Sequence, residues 1–234
     1  QLIMAEECYF FLMASMRKMR MNIPLSFTLE FFSDIFLAAI AENQIQEGVI
    51  ELLAYRNRDD GFSAKTPVHF YFEIRQKDEV LKISEKYELD LMKEISVNTN
   101  VLSNIKVHSP ENIYAEIYAK ENDLDDVIFL NPNKKIARTI YGNLLLLEEN
   151  TIKIPKQTEG AYISPLMENF VTFVHKNNLA TIEEAELSAF ESQKAEEILV
   201  ISDEKGIFTV SKIRNKEFGN ERYKTMLEAW KTSF

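Results

Sequence analysis

The chain has 234 residues, 46% hydrophobic and 27% charged, enough apolar material to bury a core in one large domain or two modest ones. Its 27 Lys and Arg against 37 Asp and Glu leave a formal charge of −10, which argues against a nucleic-acid or anionic-membrane binder, since neutralising phosphates takes a dense basic face. A single cysteine, Cys8, can form neither an intrachain disulfide nor a cysteine-rich metal site, and no run approaches about 18 apolar residues, so a cytoplasmic, non-membrane protein is expected.

Residues 8–21 carry Phe10, Leu12, Met13, Met16, Met19 and Met21, a pattern that predicts a mostly buried helix. Asn22-Ile23-Pro24 is expected to stop it, because proline disfavours helical geometry in the residue before it. A second helix is predicted from about Thr28 through Phe31, Phe32, Ile35, Phe36 and Ala39, with Glu30 in its first turn. Residues 49–56 and 67–75 read as strands, the second alternating Val68, Phe70, Phe72 and Ile74, with a polar loop turning at Asp60-Gly61 between them. The charged run from Arg75 to Glu79 predicts a boundary between a small N-terminal domain, residues 1–78, and a larger one, residues 79–234.

Beyond that boundary the pattern predicts strands at 84–91 and 93–98, a helix at 110–122 and short strands at 126–130, 136–140, 143–147 and 150–154. A helix at 163–177 carries Phe170, Phe173 and Val174 as an apolar stripe. A shorter acidic helix at 182–191, strands at 197–202 and 206–213, and an amphipathic helix from Asn220 to Lys231 complete the chain. Helices and strands alternate without regular βαβ spacing, which predicts an α+β fold with two unequal domains rather than a doubly wound sheet.

Read on its residues alone, the sequence carries little chemistry. His69, His108 and His175 are far apart, and no HExxH or paired Cys/His spacing supports a metal site. Walker A, Rossmann and nucleophile-elbow signatures are absent. The acidic pairs Glu183-Glu184 and Glu196-Glu197 read as solvated faces.

The order of segments nonetheless resembles a known family. YFFLMASM at 9–16, LSNIK at 102–106, IYAKENDLDDVIFLN at 117–131, YGNLLLLEENTIKIP at 141–155, TEGAYISPLMENFV at 158–171 and SKIRNKEFGN at 211–220 follow one another as the corresponding segments do in the class IV pyridoxal-phosphate enzymes, which include branched-chain and D-amino-acid aminotransferases and 4-amino-4-deoxychorismate lyase. The resemblance implies a small N-terminal domain and a larger pseudo-barrel domain, with pyridoxal phosphate in the cleft and an obligate homodimer closing the site. It implies Lys106 as the Schiff-base lysine, because only an amine forms an imine that a substrate can exchange. In an ungapped alignment Ile105 takes that position instead. The family's first hairpin and its R-G-x-x-Y-G-D-G-x-F-E-T segment would precede Gln1, so the N-terminal domain is expected to lack that segment.

Several anchors depart from the family pattern. The arginine that pairs with the cofactor phosphate falls on Phe11, and the preceding histidine on Cys8; a phenyl ring offers no donor where a guanidinium would. The glutamate that keeps the pyridine nitrogen protonated falls on Arg138, a charge reversal. The phosphate-binding turn reads Ser164-Pro165-Leu166-Met167, and Pro165 has no N–H to give, though Ser164 is well placed to cap a helix. The phosphate-binding threonine falls near Phe208, with Thr209 one position away. Two lost charge-assisted contacts plus weaker amide contacts amount to roughly 5 kcal/mol of cofactor affinity, on the order of three to four decades. The expectation is therefore a class IV relative with weakened or lost pyridoxal-phosphate binding and catalysis, dimeric, with a small amino-acid-like ligand. The alternative is an active transaminase or lyase acting on an amino acid or amino-deoxychorismate, with Arg138, Ser164, Leu166 and Thr209 around the cofactor.

Overall fold

The computed structural model describes residues 1–57, 63 and 65–234, so the Asp60-Gly61 turn lies outside the described residues. The chain divides into two compact units, Gln1–Val80 and Leu81–Phe234. In the first, helices α1 (Ala5–Lys18) and α2 (Leu29–Glu42) precede an antiparallel ribbon of β1 (Gly48–Arg56) and β2 (Val68–Gln76). Helix α1 ends before Pro24 is reached: Arg20 takes φ 52, a left-handed conformation that breaks the helical ladder. Thr28 starts α2 by accepting the Phe31 N–H at 3.1 Å. Alternation on β2 turns Val68 and Phe70 toward Met13, Met16, Phe27 and Phe32, and the aromatic rings pack edge-to-face.

The second unit is built on a nine-stranded sheet. Its strands are β3 (Ile83–Leu91), β4 (Asp126–Leu130), β5 (Ile136–Thr139), β6 (Asn143–Glu148), β7 (Thr151–Pro155), β8 (Thr181–Ala185), β9 (Glu197–Ser202) and β10 (Gly206–Ile213), with the two-residue β11 (Lys216–Glu217) beside β10. The order is β5-β4-β3-β10-β9-β6-β7-β8; the β10–β3, β3–β4 and β7–β8 pairs are parallel and the others antiparallel. Strand alternation sorts the core. Leu145, Leu147, Leu199 and Ile201 face α4 (Pro165–Lys176) and α6 (Glu221–Lys231), which bury Phe170, Tyr223 and Trp230 against them. Leu144, Leu146, Ile198 and Val200 face the other way and meet Tyr87, Leu89, Ile128, Ile136 and Val210 from four other strands, which requires the sheet to curl around that cluster. Helix α3 (Pro110–Glu121) sets Ala115 and Ala119 on Val127, Phe129 and Ile140.

Two predicted elements are corrected. Residues 93–98 form no strand, because only isolated bonds such as Val97 N–H to Leu130 O tie them to β4 while Val97 itself is buried. The predicted acidic helix at 182–191 is instead β8, paired in parallel with β7, followed by the four-residue α5 (Ala189–Ser192). Ile182 packs into the core beside α4 and Ala185 into the core on the opposite face, while Glu183 and Glu184 are exposed on this edge strand, where charge discourages further pairing. No helix among the described residues is long and apolar enough to cross a membrane.

Candidate functional site

Helix α4 starts at Ser164, whose hydroxyl accepts the Met167 N–H at 3.1 Å. Pro165 occupies the first helical position and has no N–H, and the Glu168 N–H closes the first helical turn on Ser164 O at 2.9 Å. The Leu166 N–H, in the first turn, meets Asp203 Oδ1 at 2.9 Å. A helix start is a ready-made anion seat, and in this chain a carboxylate of the chain itself fills it.

Asp203 reaches α4 from the β9–β10 turn, residues 203–205, which Ser202 Oγ secures by accepting the N–H groups of Glu204 and Lys205. Although Asp203 is exposed as a residue, desolvation of its carboxyl against the start of α4 pushes it above the ordinary carboxylate range. The Ser164 hydroxyl, the Leu166 N–H and the Lys106 ammonium pull the other way. The next residue, Glu204, forms an ion pair with Lys106, whose side chain is 40% exposed. Lys106, Ser164, Leu166, Asp203 and Glu204 thus meet at one end of α4. Ile105, the alternative lysine position, is 3% exposed and belongs to the core.

Arg138 stands elsewhere in the same unit, on β5 opposite Phe129 of β4. It is 6% exposed, and its guanidinium carbon lies 4.9 Å from the Phe129 ring centroid and 4.4 Å from that of Tyr162. Its one hydrogen bond among the described residues runs from Nη1 to Thr139 O at 2.9 Å. Tyr162 is held in turn by Asn143, which bonds both its backbone N–H and its carbonyl, and its hydroxyl accepts from Asn112 Nδ2 at 3.1 Å.

Thr209 lies on β10 opposite Leu199, 1% exposed, with an Oγ1 that has no hydrogen-bond partner. Phe208 stacks on Tyr87 with centroids 4.3 Å apart. Cys8 and Phe11 belong to α1 in the other unit, Cys8 exposed. The structure brings Lys106, Ser164 and Leu166 together, and Arg138 and Thr209 have separate surroundings. Sequence reasoning missed Asp203. The signal was an acidic residue in the turn of a hairpin next to a Ser-Pro helix start, but their approach spans 37 positions and is non-local.

A curled mixed sheet with α4 and α6 packed on one face, joined to a smaller helix-and-ribbon unit, is the fold-type IV architecture of pyridoxal-phosphate enzymes. The chain belongs to the amino-transferase class IV family, whose sequence model matches residues 12–213. The fold is similar to that of a protein from Legionella pneumophila assigned as a 4-amino-4-deoxychorismate lyase, at 16% identity and TM-score 0.86, covering 98% of this chain and 85% of that one. It is similar also to the branched-chain aminotransferase of Thermoproteus uzoniensis with norvaline, at 16% identity and TM-score 0.85, covering 95% and 76%. The branched-chain aminotransferase of Thermobaculum terrenum in its pyridoxal-phosphate form matches at 16% identity and TM-score 0.85, covering 98% and 77%. No protein of curated function matches the chain by sequence.

Proposed function

We propose that this class IV member does not retain pyridoxal phosphate and works as a dimeric binding protein for a small amino-acid-like ligand rather than as a transaminase or lyase. The observation that carries this reading is the start of α4. Family membership implies that the cofactor phosphate sits on the turn Ser164 to Met167, where Pro165 has no N–H and those of Leu166 and Met167 are already engaged within the chain. A phosphate there would have to displace the Asp203 carboxylate or share the seat with it, and two like charges in contact oppose each other. The residues present therefore do not fit the group. Arg138 at the position where the family carries a carboxylate for the pyridine nitrogen, and the ion pairing of Lys106 by Glu204, point in the same direction. One observation favours an active enzyme instead: the amine of Lys106 does stand beside the helix start where a cofactor-bearing lysine is expected.

Absorbance separates the two readings. The chain is mixed with millimolar pyridoxal phosphate, desalted and scanned in the aldimine region. No stoichiometric band is expected, whereas Asp203→Ser, which frees the Leu166 N–H, should raise the amount of cofactor retained. A stoichiometric band in the unmodified chain that Lys106→Ala abolishes would overturn the proposal.

A further inference from the structure

We propose that the guanidinium edge of Arg138, together with the Tyr162 hydroxyl, is the seat of a small carboxylate ligand. Arg138 is 94% removed from solvent yet makes one hydrogen bond, to Thr139 O, leaving Nε, Nη2 and the second Nη1 hydrogen without an acceptor among the described residues. The two aromatic contacts engage the face of the group and supply no lone pair to those N–H groups. Among the described residues the fully enclosed polar atoms without a partner are Ser15 Oγ, Asn112 Oδ1 and Thr209 Oγ1, so the open N–H groups of Arg138 keep a narrow contact with solvent through which an anion can meet them.

Among the described residues no such anion lies within ion-pair distance. Asp126 and Glu111 both act on Arg138 through space, and three of their four carboxylate oxygens have donors elsewhere. Asp126 Oδ1 accepts the N–H groups of Val127 and Ile140 at 2.7 and 2.9 Å, and its Oδ2 accepts the Tyr87 hydroxyl at 3.1 Å. Glu111 Oε2 accepts the Ser109 hydroxyl at 2.7 Å. Neither forms a salt bridge with the guanidinium. Beside it, the Tyr162 oxygen already accepts from Asn112, so its own proton is free to be donated, and among the described residues nothing takes it.

A planar fork of N–H donors plus one hydroxyl donor matches a carboxylate, which takes two parallel N–H bonds on its two oxygens and a third donor on a remaining lone pair. The proposal rests on the reading that the pyridine ring does not occupy this place. It narrows the ligand to one bearing a carboxylate directed at β5.

The test is calorimetric titration of the full, cofactor-free chain with sodium acetate at constant ionic strength, with chloride and inorganic phosphate in parallel. Saturable acetate binding is expected in the millimolar range. It should weaken by about tenfold or more in Arg138→Lys, which loses the bidentate fork, and vanish in Arg138→Gln. Tyr162→Phe should weaken it more modestly. If Arg138→Gln fails to fold by circular dichroism, Arg138→Lys and Tyr162→Phe carry the comparison, since each keeps the cation or the ring. No saturation at tens of millimolar acetate, unchanged affinity in Arg138→Lys, or phosphate binding as tightly as acetate would each overturn the assignment. The absorbance experiment is read on separate samples, so an aldimine band would sink the cofactor-free reading and leave the acetate result to stand or fall alone.

Discussion

Asp126 shows how a single buried side chain can set a pH dependence for the whole fold. It lies at the start of β4 with no exposed surface, and burial pushes its carboxyl up from 3.8 to about 6 despite the hydrogen bonds it accepts from Thr139, Ile140, Val127 and Tyr87. A carboxyl whose folded pKa lies above its unfolded one holds a proton more tightly in the folded chain throughout that interval. Its contribution therefore weakens the fold as pH rises from about 4 to about 6, the opposite of the usual ion-paired Asp. Asp126→Asn removes this slope. The stability difference between the parent chain and the variant, from urea unfolding, should fall by on the order of 3 kcal/mol between about pH 4 and pH 7. A difference that does not vary with pH would show that burial is not what governs this carboxyl. At this same scale the sequence was partly readable. The alignment placed Arg138 at a position of charge reversal, but its surroundings come from Phe129 on a neighbouring strand and Tyr162 in a distant loop, which no local pattern reveals. Asp203 was invisible for a similar reason: a turn aspartate becomes a helix cap only when two elements 37 residues apart meet.

Elements whose apolar period is long enough were legible in the sequence, and those defined by a partner were not. Helices α2, α4 and α6 and strands β1, β2, β9 and β10 follow from stripes of Phe, Val, Ile and Leu at helical or alternating spacing. Strand β8 has one inward apolar residue on each face, Ile182 on the α4 side and Ala185 on the other, and its two glutamates read equally well as a helix; the parallel partner β7 decides the matter. The β5–β6 turn is a tighter case. Thr139 N–H donates to Gly142 O at 2.8 Å, and Gly142 N–H donates back to Thr139 Oγ1 at 3.0 Å. A Cβ on Gly142 would come within 2.2 Å of Ile201 O in β9, a backbone atom that cannot swing aside. Gly142→Ala should therefore cost about 3 kcal/mol or more by forcing β6 away from β9. The expected result is a lowered thermal midpoint with a sound far-ultraviolet spectrum at low temperature; an unchanged midpoint would mean that the turn shifts freely.

At the scale of the whole molecule, the fold was legible because six short motifs occur in family order along the chain. We propose that a second copy covers the outer face of α3. Ile113, Tyr114 and Ile117 lie on one helical face and are 48%, 47% and 53% exposed. Isolated apolar residues on a surface are ordinary, but three on one helical face form a patch of the kind that protein contacts cover. The inner face of the same helix already holds Ala115 and Ala119 against the sheet, so the patch cannot be buried by tightening α3 onto its own unit. Sedimentation at micromolar concentration should find a dimer of the unmodified chain. Ile117→Glu, a substitution at a position already half exposed, should give a folded monomer, because a buried unpaired carboxylate at an interface opposes association. A variant that dimerises as tightly as the parent would remove α3 as the contact, and a monomeric parent chain would remove the dimer from the binding-protein reading altogether.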